Sequence, residues 1–143
     1  MASRRTQAII GILMIVFGGL GTLLGGLGVL AGDAAPADAA PVWHAYATIN
    51  TGFGIAGVAV TALQLAAGIL VVRHHRRARL FALSYAALAL VSTIAWLVMV
   101  MVWLAPQVPN NLGPAIGMGI VFSLLAGIVW PAVVAGVTGR AAS

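Results

Sequence analysis

The chain has no cysteine, no lysine and no glutamate, and only two acidic residues in 143. Without cysteine there is no disulfide framework, no thiolate nucleophile and no redox centre. The acids, Asp33 and Asp38, sit close together in one short polar segment. That leaves no paired carboxylates for general acid/base work, no nucleophile beside a base and no phosphate loop. The reading is therefore of a protein that is not an enzyme and that carries no cofactor.

Charge is scarce altogether. Charged residues make up 6% of the chain, against about 25% in a soluble domain. The seven basic residues are all arginine and cluster at Arg4–Arg5, Arg73–Arg79 and Arg140. A net charge of +5 in that arrangement is not a nucleic-acid footprint, because no basic stripe runs along one helix or face.

What fills the chain is four apolar runs, approximately 7–32, 43–72, 80–104 and 112–137. A bilayer core of about 30 Å takes about 20 apolar residues to cross as a helix. In lipid only helices and closed barrels satisfy their backbones. A barrel would show alternating segments of about ten residues, and these runs are long and continuous. The fold class is thus all-α: four transmembrane helices in one integral membrane domain, 1–143. Short connections make successive helices antiparallel neighbours, an up-down-up-down bundle.

Arginine placement sets the orientation. Arg4 and Arg5 precede the first run, Arg73–Arg79 separates the second and third, and Arg140 follows the fourth. The positive-inside rule puts both termini and the Arg73–Arg79 loop in the cytoplasm. Arginine without lysine, with abundant alanine and glycine, points to a bacterial cytoplasmic (inner) membrane. The first run is too long for a signal peptide, whose apolar core is about 7–15 residues, so it is read as a retained span.

Helix ends carry signals. Asn110 or Asn111 is placed to cap span four, with Pro114 in its first turn. Pro106 and Pro109 are expected to stop span three, and Pro131 to kink or end span four. Trp43, Tyr46 and Trp103 read as one interfacial belt, and Phe81, Tyr85 and Trp130 as the other.

Span one carries Gly11, Gly18, Gly25 and Gly32 at seven-residue spacing, with Met14, Gly21 and Gly28 between them. This heptad seam predicts close packing with a left-handed crossing. Gly19, Thr22 and Gly26 widen the smooth face, which suggests two neighbours. In span two Asn50, Gly54, Gly57, Thr61, Gln64 and Gly68 share one face. The plain reading has that stripe facing span one; the sharper one makes Asn50, Thr61 and Gln64 line a polar path. Span four has Ala115, Gly119, Ser123 and Gly127, a small-residue row suited to span three or to another copy. The surplus of such surface points to a homo-oligomer or a larger membrane complex.

No charged residue lies within any run, which argues against proton-coupled transport. His44, His74 and His75 are too few and too scattered for a metal or haem site. Arg73, Arg76, Arg77 and Arg79 suit anionic lipid headgroups at about 1 kcal/mol each.

The opening Arg4-Arg5-Thr6-Gln7-Ala8-Ile9-Ile10-Gly11-Ile12-Leu13-Met14-Ile15-Val16-Phe17-Gly18-Gly19-Leu20-Gly21 resembles the start of small uncharacterised four-span proteins of bacteria. More distantly it resembles the first span of the membrane-spanning four-domain (tetraspan) family. The resemblance implies a plasma-membrane scaffold that self-associates, and it transfers no functional residue. Here the second outer loop is short and has no cysteine, unlike that of many members of that family. The expected function is an oligomer-forming scaffold or accessory subunit held by glycine packing. The alternative is a channel or facilitator for a neutral or weakly polar solute, lined by the stripe of span two.

Overall fold

A computed structural model describes residues 3–31, 41–107 and 113–139. Helix α1 spans Arg4–Ala31 and α2 spans Pro41–Val72. Helix α3, Ala78–Val98, continues through a π-helical segment, Met99–Leu104, into a 3₁₀ turn, Ala105–Gln107. Helix α4, Gly113–Leu124, continues through a second π segment, Leu125–Val129, into α5, Trp130–Gly139. There is no strand among the described residues.

Four stretches are long and apolar enough to cross a membrane: Arg4–Ala31, Pro41–Val72, Ala78–Gln107 and Ile116–Gly139. They are spans one to four below. Their outward faces expose large apolar side chains, among them Leu23, Leu27 and Leu30 on span one and Val102 on span three. In water such a surface would aggregate; in hydrocarbon it costs nothing.

Pro106 falls in a 3₁₀ turn at the end of span three, and Pro131 does not end span four. Span three runs past Pro106 to Gln107, and span four runs past Pro131 to Gly139. In each case a π segment lies just upstream. Its wider turn takes up the register that a proline, lacking an N–H and crowding the carbonyl four residues back, would otherwise break. The Gln107 side-chain amide donates to the Trp103 carbonyl at 2.6 Å, satisfying one carbonyl at that end. Pro109, Asn110 and Asn111 lie outside the described residues. Pro114 is in the first turn of α4, as its missing N–H favours.

At the other end, Ser3 Oγ accepts from the Thr6 amide at 3.2 Å and so caps α1. The α2–α3 turn is a tight double cap. The His75 amide donates to Leu70 O at 2.9 Å and the His74 amide to Val71 O at 3.1 Å, the paired bonds of a Schellman motif. His74 takes the left-handed position, φ 49°, usually filled by glycine. His75 Nδ1 accepts from the Arg77 amide at 3.1 Å. The two histidines thus shape a turn and are not part of a helix face.

Span one packs on span two more extensively than any other pair of helices pack on each other. The partner numbers fall on span two as they rise on span one: Gly11 lies on Val72, Gly18 on Leu65, Gly21 on Thr61, Gly25 on Val58, and Val29 on Gly54. Span two also meets span three, and span three meets span four. The Gly11–Val72 contact brings the end bearing Arg4 and Arg5 beside the Arg73–Arg79 turn. The core sits at that arginine end, where Ile10, Met14, Ala67, Ala82, Tyr85, Ala89 and Val134 form one buried cluster.

Candidate functional site

Beyond that core the inward positions turn small. Gly21 on span one, Gly54, Gly57 and Thr61 on span two, Ser92 and Thr93 on span three, and Ser123, Ala126 and Gly127 on span four all line one space. Side chains of this size cannot fill the centre of four helices, and a cavity of about 800 Å³ results. Along span two it runs from Asn50 to Gln64, about 20 Å at 1.5 Å per residue.

The cavity is blind toward the arginine end. Gln64, Tyr85 and Trp130 line it there, above the packed core. Tyr85 is 2% exposed and Gln64 4%. Phe17 meets the Trp130 ring edge to face, with centroids 5.3 Å apart, and so ties span one to span four. Farther along, Leu20 and Leu24 of span one and Phe122 and Leu125 of span four line the cavity while remaining exposed. They border a mouth that opens sideways between the first and fourth spans.

The polar groups fall into two kinds. Two of the lining hydroxyls bond locally: Thr61 Oγ1 donates to Val58 O at 3.0 Å and Ser92 Oγ to Ala89 O at 3.2 Å. Thr22 Oγ1 lies 2.7 Å from Gly18 O and 3.2 Å from Thr61 Oγ1, crossing from span one to span two. At the blind end the situation differs. Gln64 Nε2 and Trp130 Nε1 are both buried with no hydrogen-bond partner. A buried donor left unpaired costs about 1–3 kcal/mol.

The three residues expected to form a polar path, Asn50, Thr61 and Gln64, therefore come together on one cavity wall. The small-residue seams are used within the chain. A Cβ on Gly18 would lie 2.6 Å from Leu65 N, and one on Gly68 would lie 2.8 Å from Gly11 O. The span-four row packs on span three: Gly127 lies against Thr93, and a Cβ on Gly119 would be 3.6 Å from the Trp96 ring. Ser123 lines the cavity. The side chain of Ala115 and all of Gly32 lie outside what is described.

Gly28 departs from the expected seam, with no atom within 4 Å of a Cβ built there. At 100° per residue, two heptads carry a position about 40° away from Met14. Met14 is fully buried, Gly21 touches Thr61 at the edge, and Gly28 has turned clear. Gly19 and Gly26 likewise meet nothing, so the wide glycine face has one helix against most of it rather than two.

Two aromatics also differ from expectation. Tyr85 and Trp130, read as an interfacial belt, sit at the cavity's blind end. The spacing of Tyr85 between Ala82 and Ala89, both buried, held the signal. The arginines Arg73, Arg76, Arg77 and Arg79 are exposed around the α2–α3 turn, away from the cavity. Among the described residues no group of three or more His, Cys, Asp or Glu converges as metal ligands would. Comparison with protein-family models, curated proteins and solved structures finds no match to this chain.

Proposed function

We propose that this chain is a non-enzymatic membrane protein that takes up a neutral or weakly polar molecule from the bilayer into its interhelical cavity. The observation that carries the reading is the polar stripe of span two, gathered on the wall of a cavity of about 800 Å³ with a sideways mouth. That volume is in the range of small-molecule sites, about 300–1,000 Å³. Among the described residues no charged side chain lines it, so an ion would enter uncompensated. The packed core at the arginine end favours binding over open passage.

The orientation follows from charge. The helices run up-down-up-down, with both termini and the Arg73–Arg79 turn on the cytoplasmic side of a bacterial inner membrane. There Arg73, Arg76, Arg77 and Arg79 meet anionic headgroups.

Gly57 gives the test. It lines the cavity, and a Cβ built on it meets nothing within 4 Å. Gly57→Leu therefore fills the space without pushing helices apart. The full chain in lipid nanodiscs should bind Nile red, a neutral lipid-soluble dye, saturably above protein-free discs, and Gly57→Leu should lose that component. Equal binding by both proteins, or no saturable binding by either, overturns the proposal.

A second reading keeps the oligomeric scaffold. A Cβ built on Gly19 or Gly26, seven residues apart on α1, would meet nothing within 4 Å. In lipid, bare backbone of this kind favours close approach of another helix. Crosslinking and native mass spectrometry in lipid should then show oligomers that Gly19→Leu dissociates; monomers throughout remove this reading.

A further inference from the structure

Gln64 and Trp130 set the chemistry of the occupant. Resting on the reading above, we propose that the blind end of the cavity is a hydrogen-bonding site for the carbonyl oxygen of a neutral, lipid-soluble molecule. Such a carbonyl is found on the ring of a membrane quinone or in the ester of a neutral glyceride.

Gln64 is 4% exposed, lines the cavity, and its Nε2 has no partner. Trp130 as a whole is only partly buried, but its Nε1 is buried, has no partner and belongs to the same cavity lining. An indole nitrogen only donates, and an amide nitrogen only donates. Two orphaned donors in an apolar setting select an acceptor, and a carbonyl offers two lone pairs to them. A carboxylate or phosphate would also accept, but among the described residues no lining side chain carries a positive charge to balance it. The ligand is therefore neutral.

The rest of the lining favours a ring behind that carbonyl. Phe17, Phe53, Tyr85, Trp96, Phe122 and Trp130 all border the cavity, out of ten aromatic residues in the whole chain. Aromatic faces and edges hold flat conjugated systems in stacked or edge-on geometry. Leu24 and Phe122 line the cavity and are exposed on the lipid side, so an apolar tail can remain among the acyl chains there while the polar end sits inside. A quinone satisfies all three features; a glyceride satisfies the carbonyl and the tail.

The test is equilibrium binding of three probes to the full chain in nanodiscs, each against protein-free discs. The probes are a short-tailed naphthoquinone, a short-chain diacylglycerol, and an alkylnaphthalene of matched size without oxygen. Two conservative variants remove the donors while keeping bulk: Gln64→Met, and Trp130→Phe, which retains a ring for Phe17.

The expected result is naphthoquinone binding that is at least tenfold tighter than that of the alkylnaphthalene. Each variant should weaken it roughly tenfold while leaving the alkylnaphthalene unchanged. The same losses for the diacylglycerol alone would support the carbonyl site with an ester as its source. Naphthoquinone and diacylglycerol both binding no more tightly than the alkylnaphthalene, or undiminished binding of both by both variants, overturns the donor site. In that case the cavity still stands as a binding chamber if Gly57→Leu abolishes binding. If Gly57→Leu changes nothing for any probe, the chamber itself falls.

Discussion

Replacing Gly18 with alanine probes the first two helices at their tightest contact. An added Cβ would lie 2.6 Å from Leu65 N, 2.9 Å from Leu65 Cα and 2.9 Å from Thr61 O. All three are backbone atoms, so no side chain can swing aside. Reaching an ordinary contact of 3.4 Å requires the helices to part by about 0.8 Å, and a gap of that order forfeits a quarter to a half of each contact's attraction. Overpacking of this kind costs about 1–3 kcal/mol. Alanine returns about 1 kcal/mol of helix propensity relative to glycine. The net expectation is destabilisation by up to about 2 kcal/mol. Gly19 is the internal control, because nothing lies within 4 Å of its Cβ. Gly19→Ala should be neutral or stabilising by up to about 1 kcal/mol. The measurement is reversible unfolding in mixed micelles by titration with dodecyl sulfate, followed by tryptophan fluorescence. If the two variants differ by less than about 0.5 kcal/mol, roughly the noise of additive surface changes, the close approach at Gly18 does not hold the helices together.

His74→Gly should stabilise the chain by about 1 kcal/mol in the same titration, since φ 49° strains any residue with a Cβ. Gln64→Met should raise the stability of ligand-free protein by about 1 kcal/mol, because it deletes a buried donor that has no partner; lower stability would mean that the amide is satisfied. Exchanging Arg73, Arg76, Arg77 and Arg79 together for glutamine should cut the number of anionic phospholipids retained in native mass spectrometry, by about 1 kcal/mol of affinity per arginine, and leave zwitterionic lipids unaffected.

The spans were readable because their signal is length and solvent preference, which neighbours do not alter. The expected limits 43–72 and 80–104 differ from the observed Pro41–Val72 and Ala78–Gln107 by two or three residues at each end that moved. Span three gives way at Leu104 to the 3₁₀ turn that holds Pro106, close to the expected limit, but nothing in a run of valine and methionine announces the π segment before it. The seam from Gly11 to Gly25 was legible because backbone can only approach where side chains are absent. Its failure at Gly28 came from carrying a strict seven-residue repeat onto a helix of 3.6 residues per turn. The stripe of Asn50, Thr61 and Gln64 could be placed on one face by spacing alone. That it faces a cavity depends on Ser92, Thr93, Ser123 and Gly127 being small at the same level. No single helix contains that information.

The seam and the cavity share a wall, which ties stability to binding. Gly21 and Thr61 both line the cavity, and a Cβ on Gly21 would lie 2.7 Å from Thr61 Cγ2. From the next residue, Thr22 Oγ1 reaches Thr61 Oγ1 across the same interface. The glycines that let span one approach span two therefore also fix where the stripe of span two points. An ordinary side chain at Gly18 or Gly21 would move Thr61 and shift the setting of Gln64, one turn further along the same face. Glycine is a poor helix former, at about 1 kcal/mol per position against alanine. A chain selected only for a stable bundle would gain by filling the inward positions of spans two to four with leucine. This chain instead keeps a close-packed, glycine-dependent interface beside a space it leaves unfilled. That combination makes sense if the wall must be rigid while the space next to it receives something else.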